Sequence, residues 1–370
     1  MDISYWEYKN WLSNIDIAII GSGIVGLQCA LQARKRFPKA KIIVFEKGIL
    51  PEGASTKNAG FACFGSISEI MDDLTFHTKK EIVQLVQKRY TGLQNLRTTL
   101  GDKAIDFKQY GGYEVFTNDT SELYENCIKN MSSINEMLYP VFNQSIFSEK
   151  TTNFGFQGVQ KKLLFNSLEG QIDTGAMMSA LLKKVVKSDI KILNGCAVLN
   201  FIDNKTSVFV ETEKFSFKTD KICIATNGFA KQLGSDKVTP ARAQVVITKP
   251  IKNLKIKGTF HINKGFYYFR NIQNRILLGG GRNLDFKTEN TLSLGHTPVI
   301  QNALENLLKT IIAPNYEITI DRRWSGIMGV GDQKKPIVKQ LSENVFCGVR
   351  LGGMGIAIGS SVGKELADLL

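Results

Sequence analysis

Six residues near the start of the chain, Gly21, Ser22, Gly23, Ile24, Val25 and Gly26, have the spacing that a phosphate-binding turn requires. An apolar run from Ile17 to Ile20 precedes them, a helical pattern from Leu27 to Arg36 follows, and a second apolar run spans Ile42 to Phe45. In such a strand-turn-helix-strand unit each glycine has a mechanical task. Gly21 permits the tight turn, Gly23 lets a pyrophosphate approach the backbone, and Gly26 lets helix and strand pack closely. The free N–H groups and the dipole of the helix start then favour negative charge. Glu46 closes the second strand 20 residues after Gly26. A carboxylate there accepts hydrogen bonds from ribose hydroxyls and disfavours a ribose 2'-phosphate, hence NADP. The unit predicts a dinucleotide site and leaves NAD and FAD both open.

Three more stretches suit contact with the same ligand. After Glu46 comes KGILPEGASTKNAGFACFGSISE, where Gly53, Gly60 and Gly65 are mixed with Ser55, Thr56 and Asn58. A loop of that length inside a compact domain is usually functional or disordered. An apolar strand ending at Ala225 runs into Thr226, Asn227 and Gly228, offering N–H groups at the strand edge where open α/β sheets bind ligands. The final segment, VFCGVRLGGMGIAIGSSVGKELADLL, is a second glycine-rich turn opening a helix.

The remaining elements must position these stretches. Residues 1 to 14 read as a leading arm whose Tyr5, Trp6 and Trp11 pack on the nucleotide domain. Apolar residues at helical spacing between Ile70 and Leu100 predict one or two amphipathic helices. A strand at 111 to 118, a helix from Ser121 to Leu138, and a helix from Thr174 to Lys187 capped by Asp173 or Thr174 follow. After a strand at Ile190 to Leu193, residues 205 to 226 form a hairpin-like pair. Strand-like runs at 243 to 248, 265 to 270 and 275 to 281 predict a mostly antiparallel sheet. A helix over Pro298 to Ile312 and a strand at Tyr316 to Arg322 complete the pattern.

Composition sets outer bounds. The chain has 370 residues, 43% hydrophobic and 22% charged, which suits a soluble protein of two domains. No apolar run reaches 18 residues, and the start MDISYWEYKNWLSN lacks the basic and apolar regions of a secretory signal, so a cytoplasmic protein without a membrane span is expected. Six cysteines without CxxC spacing and three isolated histidines predict neither disulfides nor a metal centre nor a histidine-based triad. The net charge of +13 suits polyanions or anionic substrates. Because the lysines are dispersed, solvated surface is the simpler reading and an RNA partner the alternative.

Taken in order, these motifs resemble the D-amino acid oxidase (DAO) superfamily of FAD-dependent oxidoreductases, the group of glycine oxidase, sarcosine oxidase and D-amino acid dehydrogenase. The resemblance spans nearly the whole chain and rests on GSGIVG with Glu46, GASTKNAG, EGQIDTGAMMSALLKK, CIATNGF, PARAQVVIT, YYFR with ILLGGGR, RRWSGIMG and GVRLGGMGIAIG. It implies an α/β fold: a discontinuous, Rossmann-like (GR2-type) FAD-binding domain from residues 1–75, 160–235 and 322–370, with an α+β substrate-binding domain from 76–159 and 236–321. It also implies FAD as the cofactor. Gly21 through Gly26, Glu46 and Lys47 would hold the ADP half. Ser55, Thr56, Lys57, Asn58, Ala59 and Gly60 would run past the pyrophosphate toward the flavin ring. Val198 would meet the adenine, Ala225, Thr226, Asn227 and Gly228 would flank the dinucleotide, and Gly352, Gly353, Met354, Gly355 and Ile356 would lie over the O2 and N1 edge of the ring.

Two departures bear on chemistry. Where amino acid oxidases of this group commonly carry an arginine that clamps the substrate carboxylate, the run Trp324-Ser325-Gly326-Ile327 leads into Met328. A thioether does not replace a bidentate guanidinium, so Arg270, Arg282 or Arg350 must supply the charge if the substrate is a free amino acid. Arg350 stands where the last glycine-rich motif usually begins with glycine, which turns it toward the cleft. The WSGIMG segment also lacks the cysteine at which sarcosine oxidases attach flavin, so FAD is expected to be noncovalent. Arg270, Tyr268 and Arg350 are the candidates for holding the substrate; a salt bridge supporting the sheet is the alternative role of Arg270. The chain thus reads as an oxidase or dehydrogenase acting on the C–N bond of a small amino acid or secondary amine, by hydride transfer to flavin and hydrolysis of the imine. A tRNA oxidase acting on carboxymethylaminomethyluridine at the wobble position is a second reading, and a nonenzymatic flavoprotein a third.

Overall fold

The protein is described here from a computed structural model covering residues 2–234 and 237–370. The first unit is strand β1 (Ile15–Ile20), helix α1 (Ile24–Arg36) and strand β2 (Ile42–Phe45), as the glycine spacing requires. A short strand β3 (Phe61–Ala62) and helices α2 (Ile67–Asp73) and α3 (Lys79–Leu100) follow, so the helical stretch up to Leu100 is two helices, each opened by a capping box. Next come β4 (Gly112–Val115), α4 (Ser121–Phe142), β5 (Phe147–Thr151), β6 (Lys162–Asn166), β7 (Gly170–Gln171) and α5 (Thr174–Lys187), the last capped by the Asp173 carboxylate. The central portion holds β8 (Lys191–Leu193), β9 (Val198–Asp203), β10 (Val208–Thr212) and β11 (Ser216–Ile224). Then follow β12 (Thr239–Thr248), β13 (Thr259–Ile262), β14 (Tyr267–Ile272), β15 (Arg275–Gly280) and α6 (Pro298–Leu307). The chain finishes with β16 (Ile320–Val330), β17 (Ile337–Ser342), β18 (Val345–Val349) and α7 (Gly355–Asp368).

Two eight-stranded sheets organise these elements. The first runs β17-β18-β11-β1-β2-β8, with the β9–β10 hairpin beside β11. Its centre, β11-β1-β2, is parallel. Buried on both faces, β1 reads as the continuous apolar run of a central parallel strand. Ile17 and Ile19 face a core shared with α1, α3, α5 and α7, while Ile15, Ala18 and Ile20 face a second core under the hairpin. Ile19 is fully buried, and truncating it to alanine costs about 2–5 kcal/mol. Helix α3 lies close against α7: a Cβ at Gly92 would stand 2.2 Å from the Ala357 carbonyl oxygen.

The second sheet runs β16-β12-β15-β14-β13-β4-β6-β5 and is antiparallel except between β13 and β4. The two sheets do not follow the expected division of the chain segment by segment. Strand β6 and most of β16, placed by the sequence in the FAD-binding portion, pair in the second sheet. Conversely, α3 packs its Ile82, Val86, Leu93 and Leu96 into the core of the first sheet. The strand expected at Tyr316 begins at Ile320 and continues through the whole WSGIMG run. The leading arm also departs from expectation: Tyr5 and Trp6 are about two-thirds exposed, at 65% and 66%, and pack edge-on against each other. Among the described residues no helix is long and apolar enough to cross a membrane, and no cluster of metal-ligating residues is present.

Candidate active site

One cavity of about 790 Å³ runs between the two sheets, from the β1–α1 turn to the face of β13, β14 and β16. Its dinucleotide end is made largely of main chain. Gly21 has φ +105°, and a Cβ there would lie 2.8 Å from the Ala225 carbonyl oxygen; a Cβ at Gly26 would lie 1.9 Å from the Gly21 carbonyl oxygen. Gly23 opens α1 without any side-chain cap, and the Ile24 amide donates to Ser55 Oγ at 3.0 Å. The Glu46 carboxylate is buried and oriented from two sides, accepting from Ser22 Oγ at 2.7 Å and from the Gly48 amide at 3.1 Å. Thus Ser22, itself sealed from solvent, acts by aiming Glu46 and not by lining the cavity.

The structure brings most of the sequence-derived residues to this one space. Gly21, Gly23, Ile24, Val25, Glu46 and Lys47 line it from the first unit, and Ser55, Lys57, Asn58, Ala59 and Gly60 from the following loop. Val198, Ala225, Thr226 and Asn227 line it from the strand edge, and Gly352, Gly353, Met354, Gly355 and Ile356 from the last turn. Gly26, Thr56 and Gly228 stand behind the wall. Gly26 serves helix packing, Thr56 Oγ1 donates to the Pro51 carbonyl at 2.6 Å, and a Cβ at Gly228 would meet the Met328 carbonyl oxygen at 2.7 Å.

The substrate candidates divide. Tyr268 lines the cavity, its hydroxyl pushed up to about 12 by burial. Arg270 does not line it. Its guanidinium is spent on main chain, Nε donating to the Ala59 carbonyl and Nη2 to the Ile172 carbonyl at 2.9 Å. It therefore staples the Ser55–Gly60 loop to the second sheet, a structural role without the salt bridge. Arg350 is also turned away from the cleft: Nε and Nη2 donate to the Lys335 carbonyl at 3.0 and 2.8 Å. Its backbone takes φ +66°, the conformation for which glycine is usual at this position. Of the three arginines considered, Arg282 is the one in the cavity wall. It donates through Nη2 to Asn290 Oδ1 at 2.6 Å, lies over the Phe286 ring at 4.8 Å, and keeps a buried Nε without a partner.

Several wall residues were not singled out by the sequence: Phe61, Cys63, Glu69, Asp72, His261, Lys264 and Lys334. Two ion pairs join α2 to this end of the site, Lys264 Nζ to Asp72 Oδ1 at 2.7 Å and Lys334 Nζ to Asp73 Oδ1 at 2.6 Å. His261 Nε2 stands 3.0 Å from Glu169 Oε2, both side chains buried. Burial opposes the imidazolium, but Glu169, with Glu69 and Glu114, outweighs burial and raises His261 to about 9. The available signal was the four-residue strand Thr259–Ile262, too short between Gly258 and Asn263 to show its alternation.

Residues 16–369 match the DAO family, described as FAD dependent oxidoreductase, and the protein belongs to that family of FAD-dependent enzymes. A glycine oxidase from Bacillus cereus superposes with a TM-score of 0.76 at 17% identity, covering 96% of both chains. The L-proline dehydrogenase from P. horikoshii gives 0.71 at 19%, covering 96% of this chain and 93% of that one. A probable oxidoreductase, OrdL, from Haemophilus influenzae is 22% identical over 97% of this chain and 83% of its own length. The glycine cradle, the oriented Glu46 and a cavity of about 790 Å³ fit FAD.

Proposed function

We propose that the protein oxidises the C–N bond of a small amino acid or secondary amine, with noncovalently held FAD as the redox group. The observation that carries this reading is the unbroken cavity joining the glycine cradle at Gly21 to Tyr268 and Arg282. When bound there, FAD would supply the two-electron acceptor that amine oxidation needs. The N-terminal end of α7, with Gly353 and Met354 at its head, offers N–H groups where negative charge would develop. Tyr268 and Phe61, whose rings stand 5.6 Å apart edge to face, bound the amine side and exclude water. Arg282, which stands in the cavity wall, meets a substrate carboxylate in place of the arginine absent at Met328. Noncovalent attachment is supported by Cys63, the cysteine beside Met354: burial drives its thiol well above the usual range, which makes it a poor nucleophile.

The test is anaerobic reduction of the flavin absorbance in purified protein by glycine, sarcosine, proline, D-amino acids and undermodified tRNA, each added alone. Bleaching by a small amine supports the proposal, whereas bleaching by tRNA alone replaces it with nucleoside modification. Acid precipitation separates the attachment modes: the yellow colour stays in solution if FAD is noncovalent and pellets with the protein if it is not.

A further inference from the structure

Strand register sets Glu114 of β4, His261 of β13 and Tyr268 of β14 side by side across the second sheet. Residues paired across neighbouring strands project from the same face, so the three form one row. His261 and Tyr268 reach the cavity, and the Phe61 ring stands edge-on to both, at 5.4 and 5.6 Å. Glu114 lies deeper, accepting from Ser66 Oγ at 3.0 Å and from Ser68 Oγ. Glu169 closes the back of the row at His261 Nε2, with its side chain only 1% exposed.

A carboxylate at Nε2 fixes which nitrogen of a neutral imidazole carries hydrogen. Nε2–H donates to Glu169, Nδ1 keeps the lone pair, and the same carboxylate stabilises the imidazolium formed on protonation. We propose that His261, oriented by Glu169, is the base that takes the proton of the substrate ammonium before its C–N bond is oxidised. This inference rests on the amine-oxidising reading above. An ammonium nitrogen has no lone pair with which to form the C=N bond as hydride leaves its neighbouring carbon. In the step proposed, an N–H bond of the ammonium breaks, its electron pair stays on nitrogen, the proton bonds to Nδ1, and the new positive charge faces Glu169.

The groups facing His261 are Glu169 behind it, Glu114 from β4, Glu69 from α2 and Tyr268 from β14; Lys264, in the next turn, is engaged by Asp72. Their balance against burial, at about 9, brings the imidazole close to the range of amines, about 8 for an α-amino group and 10.4 for lysine. Proton transfer between groups so matched is efficient.

Two measurements test the proposal on the FAD-loaded protein. The chain has three histidines, His77, His261 and His296, so the imidazole NMR signal lost in His261→Asn identifies the residue. It should titrate near 9 in the wild type and at least one unit lower in the isosteric Glu169→Gln. The second measurement is the anaerobic rate of flavin reduction against pH, using an amine that bleaches the wild type. The rate should rise toward pH 9, the rising limb should move down with the NMR titration in Glu169→Gln, and His261→Asn should reduce at least one-hundredfold more slowly at pH 8. A limb that stays in place while the NMR titration moves belongs to the substrate amine and overturns the assignment of the base. So does His261→Asn reducing as fast as the wild type. A wild type whose flavin no amine reduces is a different outcome, which removes the amine-oxidising reading itself.

Discussion

The two ends of the cavity are built on opposite plans. At the dinucleotide end the wall is main chain: Gly21 and Gly26 admit contacts that any Cβ would block, and the buried Glu46 is fixed by Ser22 and by the Gly48 amide. At the amine end the wall is side chain, drawn from β3, α2, β13, β14 and β16, with charges held in pairs across elements. A wall of main chain recognises a group common to every turnover and tolerates no substitution. A wall of paired side chains can be exchanged residue by residue, which alters the substrate and leaves the fold intact. Met328 and Arg282 both stand in that wall.

The largest effect should come from the main-chain end. Gly26→Val would force a branched side chain into the Gly21 carbonyl, 1.9 Å from the position of its Cβ. Helix α1 cannot back away, because its other side is packed in the first core. The variant should retain less than a hundredth of the wild-type flavin, read from the ratio of visible to ultraviolet absorbance. Retention of a full complement of FAD would show that the cradle is not made of the contacts described.

Next in size is a support of the second sheet. Arg242 of β12 makes a bidentate pair with Glu289, Nε to Oε2 at 2.8 Å and Nη2 to Oε1 at 2.9 Å, with both side chains buried. Gln244 and Thr297 donate to the same carboxylate. Arg242→Ala leaves that charge buried and lacking its partner, at a cost of about 3–5 kcal/mol. Denaturant unfolding should show this loss, and a double variant that also carries Glu289→Ala should recover part of it.

A smaller effect belongs to Arg282, and it separates binding from stability. Arg282→Met removes a charged hydrogen bond to a substrate carboxylate, about 1.5–3 kcal/mol, equivalent to roughly ten- to hundredfold in KM for carboxylate-bearing amines. The limiting rate and the melting temperature should change little. An equal loss for amines without a carboxylate would show that Arg282 serves the fold of the wall and not recognition.

The same contrast explains what could be read in advance. The dinucleotide end lies in contiguous motifs, where residue type and spacing state the geometry directly: glycine at 21, 23 and 26, acid at 46. Turn and strand are local, so Thr226 and Gly353, which line the cavity, stand out in the sequence before any fold is known. The amine end is made by register between distant strands, and register is not written in any one segment. Arg270 shows the difficulty. It was expected to hold the substrate or to form a salt bridge in the sheet, but two carbonyl groups from the first half of the chain, Ala59 and Ile172, claim its guanidinium. His261 shows the converse, a residue on a four-residue strand whose partner Glu169 lies 92 positions earlier. Tyr5 and Trp6 depart for a third reason: aromatic side chains are read as core, yet the short helix Tyr5–Glu7 that carries them buries no residue.

The smallest effect sharpens the comparison from outside the cavity. Asp203, at the end of β9, ties that strand to the β17–β18 turn. It accepts from Ser342 Oγ at 2.6 Å, from the Asn344 amide at 2.9 Å and side chain at 3.0 Å, and from the Lys205 amide at 3.0 Å. Burial pushes its carboxyl up, but these hydrogen bonds outweigh burial and hold it down at about 2, against 3.8 unfolded. Because the folded value is the lower one, the carboxylate stabilises the protein above pH 3.8, and the contribution fades as the pH falls toward 2. A shift of this size corresponds to roughly 2 kcal/mol, reduced to about 1 kcal/mol by solvent screening of a half-buried group. In urea unfolding, Asp203→Asn should be about 1 kcal/mol less stable than the wild type at pH 6, and the gap should narrow steadily below pH 4. Flavin content and KM should not move. A change in either would mean that the first sheet transmits strain to the cavity, and that its main-chain wall depends on side chains after all.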